Sequence, residues 1–269
     1  MTDKCGVLLA PGSQNGFDNS GRRGPIEWQQ GDTVDRTLAA IQLLVNRYAE
    51  HGDVVTALEA LNEPMLPGGV DRDGLTQYYR DTWGKLQEQN PNIALILHDG
   101  FEATESWNGF LTNENVVMDN HHYQVFDNGL LTKDIAAHAQ DVCSHSTGSL
   151  QKSDKGAIVG EWSGATTDCA KYLNGKGIGA RYDGTKSPDF KVGDCGVKAA
   201  GTVASLAPEE KWDIRRFIEA QLDAWELKNG WVFWTWKNEG APEWNMLQLL
   251  NEGVFPQPLT DRLFPGQCG

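Results

Sequence analysis

Two glutamates stand where buried strands are predicted to end, and carboxyl groups in such positions can support acid–base or nucleophilic chemistry. Glu63 follows the apolar residues 54–61, with Asn62 before it and Pro64 after it. Glu161 closes a second apolar run and has a glycine as its neighbour. Each could instead be a plain polar residue at a strand end or an ion-pair partner. That alternative is the weaker one for Glu161 once Glu63 is considered with it.

Paired carboxyl groups of this kind suit the hydrolysis of a glycosidic bond. One group must be protonated to donate to the leaving oxygen, and the other must be ionised to attack the anomeric carbon. A gap of about 5–5.5 Å between them gives retention of configuration, and about 6.5–9.5 Å gives inversion. The sequence contains neither a GxSxG elbow nor a GxxxxGK[ST] phosphate loop, so serine hydrolase and nucleotide chemistry are disfavoured.

A third group of polar residues ends the strand predicted over residues 116–123. Strand alternation puts His121 and Tyr123 on one face and His122 on the other. An inward His–Tyr pair can hydrogen-bond sugar hydroxyls and orient a carboxylate. Because no third ligand stands near the histidines in the sequence, we expect no metal site.

Aromatic residues dominate the strand predicted over residues 231–236. Trp234 and Trp236 share a face if the segment is extended. Flat indole faces complement the CH-rich faces of pyranose rings, whereas core packing is the alternative use. We expect one of the two tryptophans in each role.

These residues need a scaffold that brings strand ends together, and the hydrophobic pattern supplies one. Short apolar runs alternate with amphipathic segments, which is typical of a parallel sheet with helices outside it. The predicted strands are residues 6–10, 54–61, 92–98, 116–123, 157–162 and 231–236. The predicted helices are residues 33–50, 75–89 and 130–143, and one that begins at Pro208 and ends before Asn229-Gly230. Residues 1–269 are expected to form one domain.

The composition limits the kinds of molecule that the chain can bind and the compartments in which it can work. The chain of 269 residues has a formal net charge of −14, which argues against nucleic acid or an anionic membrane surface as the main partner. No apolar run reaches the roughly 18 residues that a membrane helix needs. Five cysteines fit two disulfides and one thiol, or five buried thiols. Residues 1–5 do not begin a signal peptide.

Together these motifs resemble the fungal exo-β-1,3-glucanases of glycoside hydrolase family 5. The matching segments are residues 10–20, 61–64, 121–126, 159–163, 168–175, 230–244 and 255–262. The resemblance implies a (β/α)8 TIM barrel, a secreted or cell-wall location, no cofactor, and retaining release of glucose from the non-reducing ends of β-1,3-glucan. Transfer of glucosyl units to another sugar is a further activity that it implies.

The resemblance also assigns roles to residues. Glu63 matches the general acid/base and Glu161 the nucleophile. The matches for substrate binding are Phe17, Asn19, Asn62, His121, Tyr123, Phe126 and Trp234, with Phe17 and Phe126 gripping the glucan at the cleft mouth. It further implies disulfides between Cys169 and Cys195 and between Cys143 and Cys268, and leaves Cys5 unpaired.

The chain departs from the family pattern at its start. The family's first two βα units have no counterpart, so we expect an N-terminally truncated, incomplete barrel with about six βα units. Val7-Leu8-Leu9 replaces a Leu-His-Gly segment, and residues 128–130 replace an acidic one. The alternatives are therefore an inactive β-glucan-binding remnant, or a hydrolase of another β-glucoside such as β-1,6-glucan or glucosylceramide. In either case we expect a monomer.

Overall fold

The computed structural model describes residues 5–6, 9–112 and 114–269. The first predicted strand, residues 6–10, falls partly outside that set. Val7 and Leu8, two of the three residues that replace the family's Leu-His-Gly segment, also lie outside the described residues, as does the side chain of Cys5.

A five-stranded sheet in the order β1-β2-β3-β4-β5 organises the fold. Its strands are β1 (Cys5–Gly6), β2 (Ala57–Glu59), β3 (Ala94–His98), β4 (Val116–His121) and β5 (Gly156–Glu161). The pairs β1–β2, β2–β3 and β3–β4 are parallel. The predicted α/β class with a parallel sheet is therefore confirmed, although β2 is much shorter than the apolar run that predicts it.

The prediction of a sixth strand over residues 231–236 is wrong beyond its first residue. Trp231 forms an isolated parallel bridge with Val159. The Val232 N–H still donates to the Val159 carbonyl at 2.9 Å, and the Trp234 N–H to the Trp162 carbonyl at 2.8 Å. The chain changes partner at Thr235, whose N–H donates to the Trp244 carbonyl at 2.9 Å. The Trp234–Thr235 peptide bond is cis.

Helices fill most of the connections between strands. They are α1 (Thr33–Tyr48), α2 (Arg72–Gln89), α3 (Ile135–Gly148), α4 (Gly196–Ala200), α5 (Pro208–Trp225) and α6 (Met246–Asn251). In the described part of the chain, no helix combines the length and the apolar character needed to cross a bilayer.

Capping residues explain where these helices begin. The Asp71 carboxylate accepts from the Gly74 N–H at 2.7 Å, so α2 begins three residues before its prediction. The Asp134 carboxylate accepts from the Ala137 N–H at 2.8 Å, so α3 begins at Ile135 and not at the predicted residue 130. It ends at Gly148, beyond the predicted residue 143. The predicted start of α5 at Pro208 is confirmed, since proline suits the first helical turn.

The chain divides into two compact units. The first comprises the described residues up to Asn120 together with Lys152–Ile158. Its core is aromatic and aliphatic, built where α1 and α2 pack together and α2 contacts β3. The fully buried residues at its centre include Trp28, Ile41, Leu75, Tyr78, Tyr79 and Leu86.

The second unit comprises His121–Gln151 and Val159–Gly269. Helices α3 and α5 pack against each other, and Phe217 and Trp225 of α5 are fully buried. A disulfide between Cys143 and Cys268 ties the end of the chain to α3, with a Cα–Cα distance of 5.0 Å. Its pairing matches the one that the resemblance implies.

A long connection from Ser163 to Ala207 in the second unit has a rigid centre. The buried Asp168 carboxylate accepts from the backbone N–H groups of Arg181 at 2.8 Å and Tyr182 at 3.0 Å. Burial by itself raises the pKa of Asp168, but these hydrogen bonds outweigh it and the net shift is downward. The second implied disulfide, Cys169–Cys195, closes this loop just before α4.

Acid should destabilise the second unit through His138. This α3 side chain is buried, bonds the Gln124 side chain and packs 5.6 Å from Phe217. Burial lowers its pKa from 6.5 to about 4, with Asp141 and Asp134 opposing and Lys133 adding to the effect. Between pH 6.5 and about 4, His138 is therefore protonated in the unfolded chain but neutral in the folded chain. The free energy of unfolding consequently decreases as the pH is lowered through this range.

Urea denaturation of wild type and His138→Gln between pH 7 and 4.5 measures this effect. We expect the wild type to lose about 1–3 kcal/mol more than the variant over that range. The exposed His51 supplies the control, since His51→Gln should keep the wild-type slope. Equal slopes for wild type and His138→Gln would contradict the assignment.

Candidate active site

In the first unit, Glu63 sits just beyond β2 in an unusual backbone conformation. Its φ is +50°, a left-handed value that is uncommon outside glycine and disfavoured before a proline. Such a conformation costs about 1–3 kcal/mol and persists only where the surroundings impose it. Glu63 is 8% exposed and Asn62 is 3% exposed, so both side chains lie within packed structure.

Residues 10–20 supply those surroundings. The Asn19 side-chain amide donates to Glu63 Oε2 at 2.8 Å. The Gln14 side-chain amide donates to the Asn62 carbonyl at 2.9 Å, and the Gln14 carbonyl accepts from the Met65 N–H at 3.0 Å. This segment therefore clamps the backbone on both sides of Glu63. Phe17, from the same segment, is 47% exposed.

The first unit also buries polar residues that the sequence predictions missed. Asp99 and Asn120 stand next to the ends of β3 and β4, and the Asn120 amide donates to Asp99 Oδ2 at 2.6 Å. Both are buried, as is His98. Asp99 follows the strand predicted over residues 92–98, and Asn120 lies within the one predicted over residues 116–123, but no motif singled out either residue. Gln14 was missed although it lies in a segment that carried the resemblance.

In the second unit, Glu161 is the last residue of β5 and is oriented by residues at the end of β4. The Tyr123 hydroxyl donates to Glu161 Oε2 at 2.8 Å. His121 Nδ1 lies 3.4 Å from the same oxygen, and the Glu161 side chain is 13% exposed. The His122 N–H donates to the Glu161 carbonyl at 2.9 Å, which holds the two strand ends in register.

The two neighbouring histidines have separate surroundings. His122 stacks on His145 at 4.4 Å between ring centroids and meets Trp225 at 5.1 Å. Burial lowers the pKa of His122 well below 6.5, and His145 lowers it further. His122 is therefore a neutral packing residue, whereas His121 lies against a carboxylate.

Aromatic side chains pack beside the Glu161 group, by which we mean Glu161, His121 and Tyr123. Tyr123 lies edge-to-face with Phe126 at 5.9 Å and packs against Trp244 at 5.2 Å. The Trp234 N–H donates to the carbonyl of Trp162, the residue after Glu161, at 2.8 Å. Phe126 is 45% exposed and Trp234 43% exposed, but Trp236 is exposed as well. The expectation that one of Trp234 and Trp236 packs in the core is therefore wrong, because the segment leaves the sheet before Trp236.

Each unit thus presents one carboxyl group with defined donors. A carboxylate held by a tyrosine hydroxyl can act as a nucleophile or base, and a carboxyl group within packed structure can act as a proton donor. Exposed aromatic faces nearby can bind the apolar faces of sugar rings. Within the second unit, the structure joins His121 and Tyr123 to Glu161. Phe126 packs against Tyr123, and the Trp234 backbone pairs with the residue after Glu161. Within the first it joins Asn19 and Asn62 to Glu63.

No protein-family model matches the chain, but curated proteins do. "Probable glucan 1,3-beta-glucosidase A" of Emericella nidulans is 59% identical over 96% of this chain and 64% of its own length. The protein of the same name from Aspergillus fumigatus is 58% identical over 96% of this chain and 62% of its own length. The chain therefore spans somewhat less than two thirds of these relatives.

Solved structures show the same type of fold. The crystal structure of rutinosidase from Aspergillus niger aligns with a TM-score of 0.68 at 19% identity, covering 95% of this chain and 67% of that one. At this identity the likeness supports the α/β fold alone. The sequence relatives agree with the resemblance that the motifs suggested, because the chain is similar over nearly its whole length to fungal proteins named glucan 1,3-beta-glucosidase.

Proposed function

We propose that the chain hydrolyses β-1,3-glucosidic bonds with retention of configuration, releasing glucose from non-reducing ends. The observation that carries the proposal is the hydrogen bond from Tyr123 to Glu161, 2.8 Å long, at the end of strand β5. It supplies an oriented carboxylate in a homologue of glucan 1,3-beta-glucosidases.

Glu161 is the nucleophile in this proposal and Glu63 the general acid/base. A Glu161 oxygen attacks the anomeric carbon while Glu63 protonates the departing glycosidic oxygen, which breaks the C–O bond and leaves a glucosyl ester on Glu161. Glu63, now a carboxylate, then takes a proton from water. That water attacks the anomeric carbon, and the ester bond breaks to regenerate the Glu161 carboxylate. A sugar hydroxyl in place of water gives transglucosylation.

The residues bonded to the two carboxyl groups position them. Tyr123 and His121 limit the rotation of the Glu161 carboxylate. Asn19 fixes one oxygen of Glu63, and its amide can also reach a sugar hydroxyl. Asn62 is held by Gln14 directly before the strained Glu63 backbone, so the general acid is pre-oriented before substrate arrives.

Exposed aromatic side chains supply the sugar-binding surface. Phe17, Phe126 and Trp234 are each more than two-fifths exposed, so their rings are accessible to a sugar. We assign Trp234 to the reacting glucose, because its backbone pairs with the residue after Glu161. Phe17 and Phe126 are assigned to the incoming glucan.

The same proposal covers architecture and location. The strand–helix alternation and the homology support an incomplete (β/α)8 barrel that serves as one catalytic domain. Two disulfides fit an oxidising compartment, so we place the chain outside the cell or in the cell wall, acting on β-1,3-glucan without a cofactor.

Replacement of the nucleophile gives the first test of this function. Glu161→Ala should lose at least about 10³-fold in kcat on 4-nitrophenyl β-glucoside, because no covalent ester can form. Added azide should restore turnover and yield the α-glucosyl azide, since the small anion fills the space of the carboxylate. Wild type with azide is the control. Undiminished activity in Glu161→Ala, or a β-glucosyl azide as product, would contradict the role.

Replacement of the acid/base should depend on the leaving group. Glu63→Ala should lose about 10²–10⁴-fold on laminarin, whose leaving hydroxyl needs a proton. Formation of the glucosyl ester from 2,4-dinitrophenyl β-glucoside should be nearly unaffected, since that leaving group needs none. Glu102→Gln, altered in a surface ion pair with Arg72, should behave as wild type. Equal losses on both substrates would argue against proton donation by Glu63.

A binding-only protein is the second candidate, favoured by the exposed Phe17, Phe126 and Trp234. Calorimetry with laminarin and a glucose assay on the same sample separate the two. Heat of binding without any glucose release would select the binding protein, and glucose release lost in Glu161→Ala would select the hydrolase.

A further inference from the structure

A buried ion pair in the second unit has no part in the mechanism above. Lys198 Nζ lies 2.7 Å from Glu243 Oε1, and the Glu243 side chain is 2% exposed. The Thr167 hydroxyl donates to the other Glu243 oxygen at 3.2 Å. Burial of two charges carries a large desolvation penalty, and such pairs are weak evidence for stability.

The cation of this pair is held by the rigid loop described above. Lys198 lies in α4, directly after the Cys169–Cys195 disulfide, and Glu210 is its second acidic neighbour at 3.6 Å. Burial raises the pKa of Glu243, and the Lys198 charge and the Thr167 hydroxyl oppose that rise. Lys198 is thus what favours the charged form of Glu243 at this buried position.

The backbone of Glu243, the anion of the pair, is hydrogen-bonded to the segment that follows Glu161. The Glu243 carbonyl accepts from the N–H of Gly164, three residues after Glu161, at 3.0 Å. A Cβ atom on Gly164 would stand 3.2 Å from that oxygen, so glycine permits this close approach. The next residue, Trp244, packs its ring against Tyr123 at 5.2 Å and accepts from the Thr235 N–H at 2.9 Å.

We propose that Glu243, anchored by Lys198, is a positioning residue that sets the Tyr123 hydroxyl against the Glu161 carboxylate through the Trp244 ring. The inference rests on the proposed role of Glu161. Protein interiors are close-packed, so a shift of Trp244 must move the ring in contact with it. A displacement of about 1 Å at a reacting group can cost about 10²-fold in rate.

Kinetics of Glu243 variants test the catalytic consequence. Glu243→Ala should lower kcat on 4-nitrophenyl β-glucoside about 10- to 100-fold, with KM changing less than about threefold. Glu243→Gln should recover most of that loss, because its amide oxygen still accepts from Lys198 and its NH2 group can donate to the Thr167 hydroxyl oxygen. The double variant Lys198→Met/Glu243→Ala leaves no unpaired buried charge, so it tests the anchor if Glu243→Ala folds poorly.

A matched control separates positioning from general destabilisation. Arg215 and Glu219 form another buried ion pair in the second unit, and Glu219 accepts from the N–H groups of Leu263 and Phe264. Glu219→Gln should lower the thermal midpoint without lowering kcat. An equal loss of kcat in Glu219→Gln would overturn the specific role of Glu243.

A double-mutant cycle identifies the route of the effect. Tyr123→Phe keeps the ring but removes the hydroxyl, so Glu243→Ala should cost less than about threefold in that background if it acts through Tyr123. Additive losses would overturn the proposal, whereas a wild type without glucosidase activity would count against the proposed function instead.

A crystal structure of Glu243→Ala, or of the double variant, decides the geometry without any activity. The proposal predicts a Tyr123 Oη to Glu161 Oε2 distance beyond 3.5 Å, outside hydrogen-bonding range. The wild-type hydrogen bond, 2.8 Å long, found intact in the variant would refute it.

Discussion

The register of two neighbouring strand ends, those of β4 and β5, is the constraint on which the position of the Glu161 carboxylate depends. The hydrogen bond from the His122 N–H to the Glu161 carbonyl fixes which residue of β4 faces the end of β5. Because side chains alternate along a strand, a slip of one residue would turn His121 and Tyr123 away and present His122 instead. The backbone pairing therefore determines that His121 and Tyr123 face the Glu161 carboxylate. Contacts from these two side chains then orient the carboxylate.

Aromatic packing holds the side chains at the end of β4 in the positions that this register gives them. Tyr123 is held between Phe126 and Trp244, while His122 is enclosed by His145 and Trp225 on α3 and α5. Packed rings thus place the Tyr123 hydroxyl that faces Glu161, and they fix the side chain of His122, the residue next to His121. Glu63 is held differently, by a strained backbone clamped by Gln14 and Asn19.

Local sequence patterns predicted much of this molecule. Apolar runs located β2 to β5, and Pro208 marked the start of α5, because these signals act over a few neighbouring residues. The start of α3 was placed too early, since the capping of Ala137 by Asp134 outweighed the hydrophobic pattern. Residues 231–236 read as a strand, but the partner that ends the pairing, Trp244, is distant in sequence.

The residues of the candidate site also fall into those that local sequence patterns predicted and those that they missed. Glu63, Glu161, His121 and Tyr123 were recognisable because each stands in a motif at a strand end. Asp99 with Asn120 and Lys198 with Glu243 were missed, because each pair joins residues far apart in the chain. No local pattern specifies a contact of that kind, so only the folded structure reveals it.

Trapping of the covalent intermediate tests the central claim most directly. Incubation of the chain with 2-deoxy-2-fluoro-β-glucosyl fluoride should slow the second step and leave one fluoroglucosyl group on the protein. Peptide mapping by mass spectrometry should then find the group on Glu161. Its attachment to a different carboxylate, or hydrolysis without any labelled protein, would contradict the account.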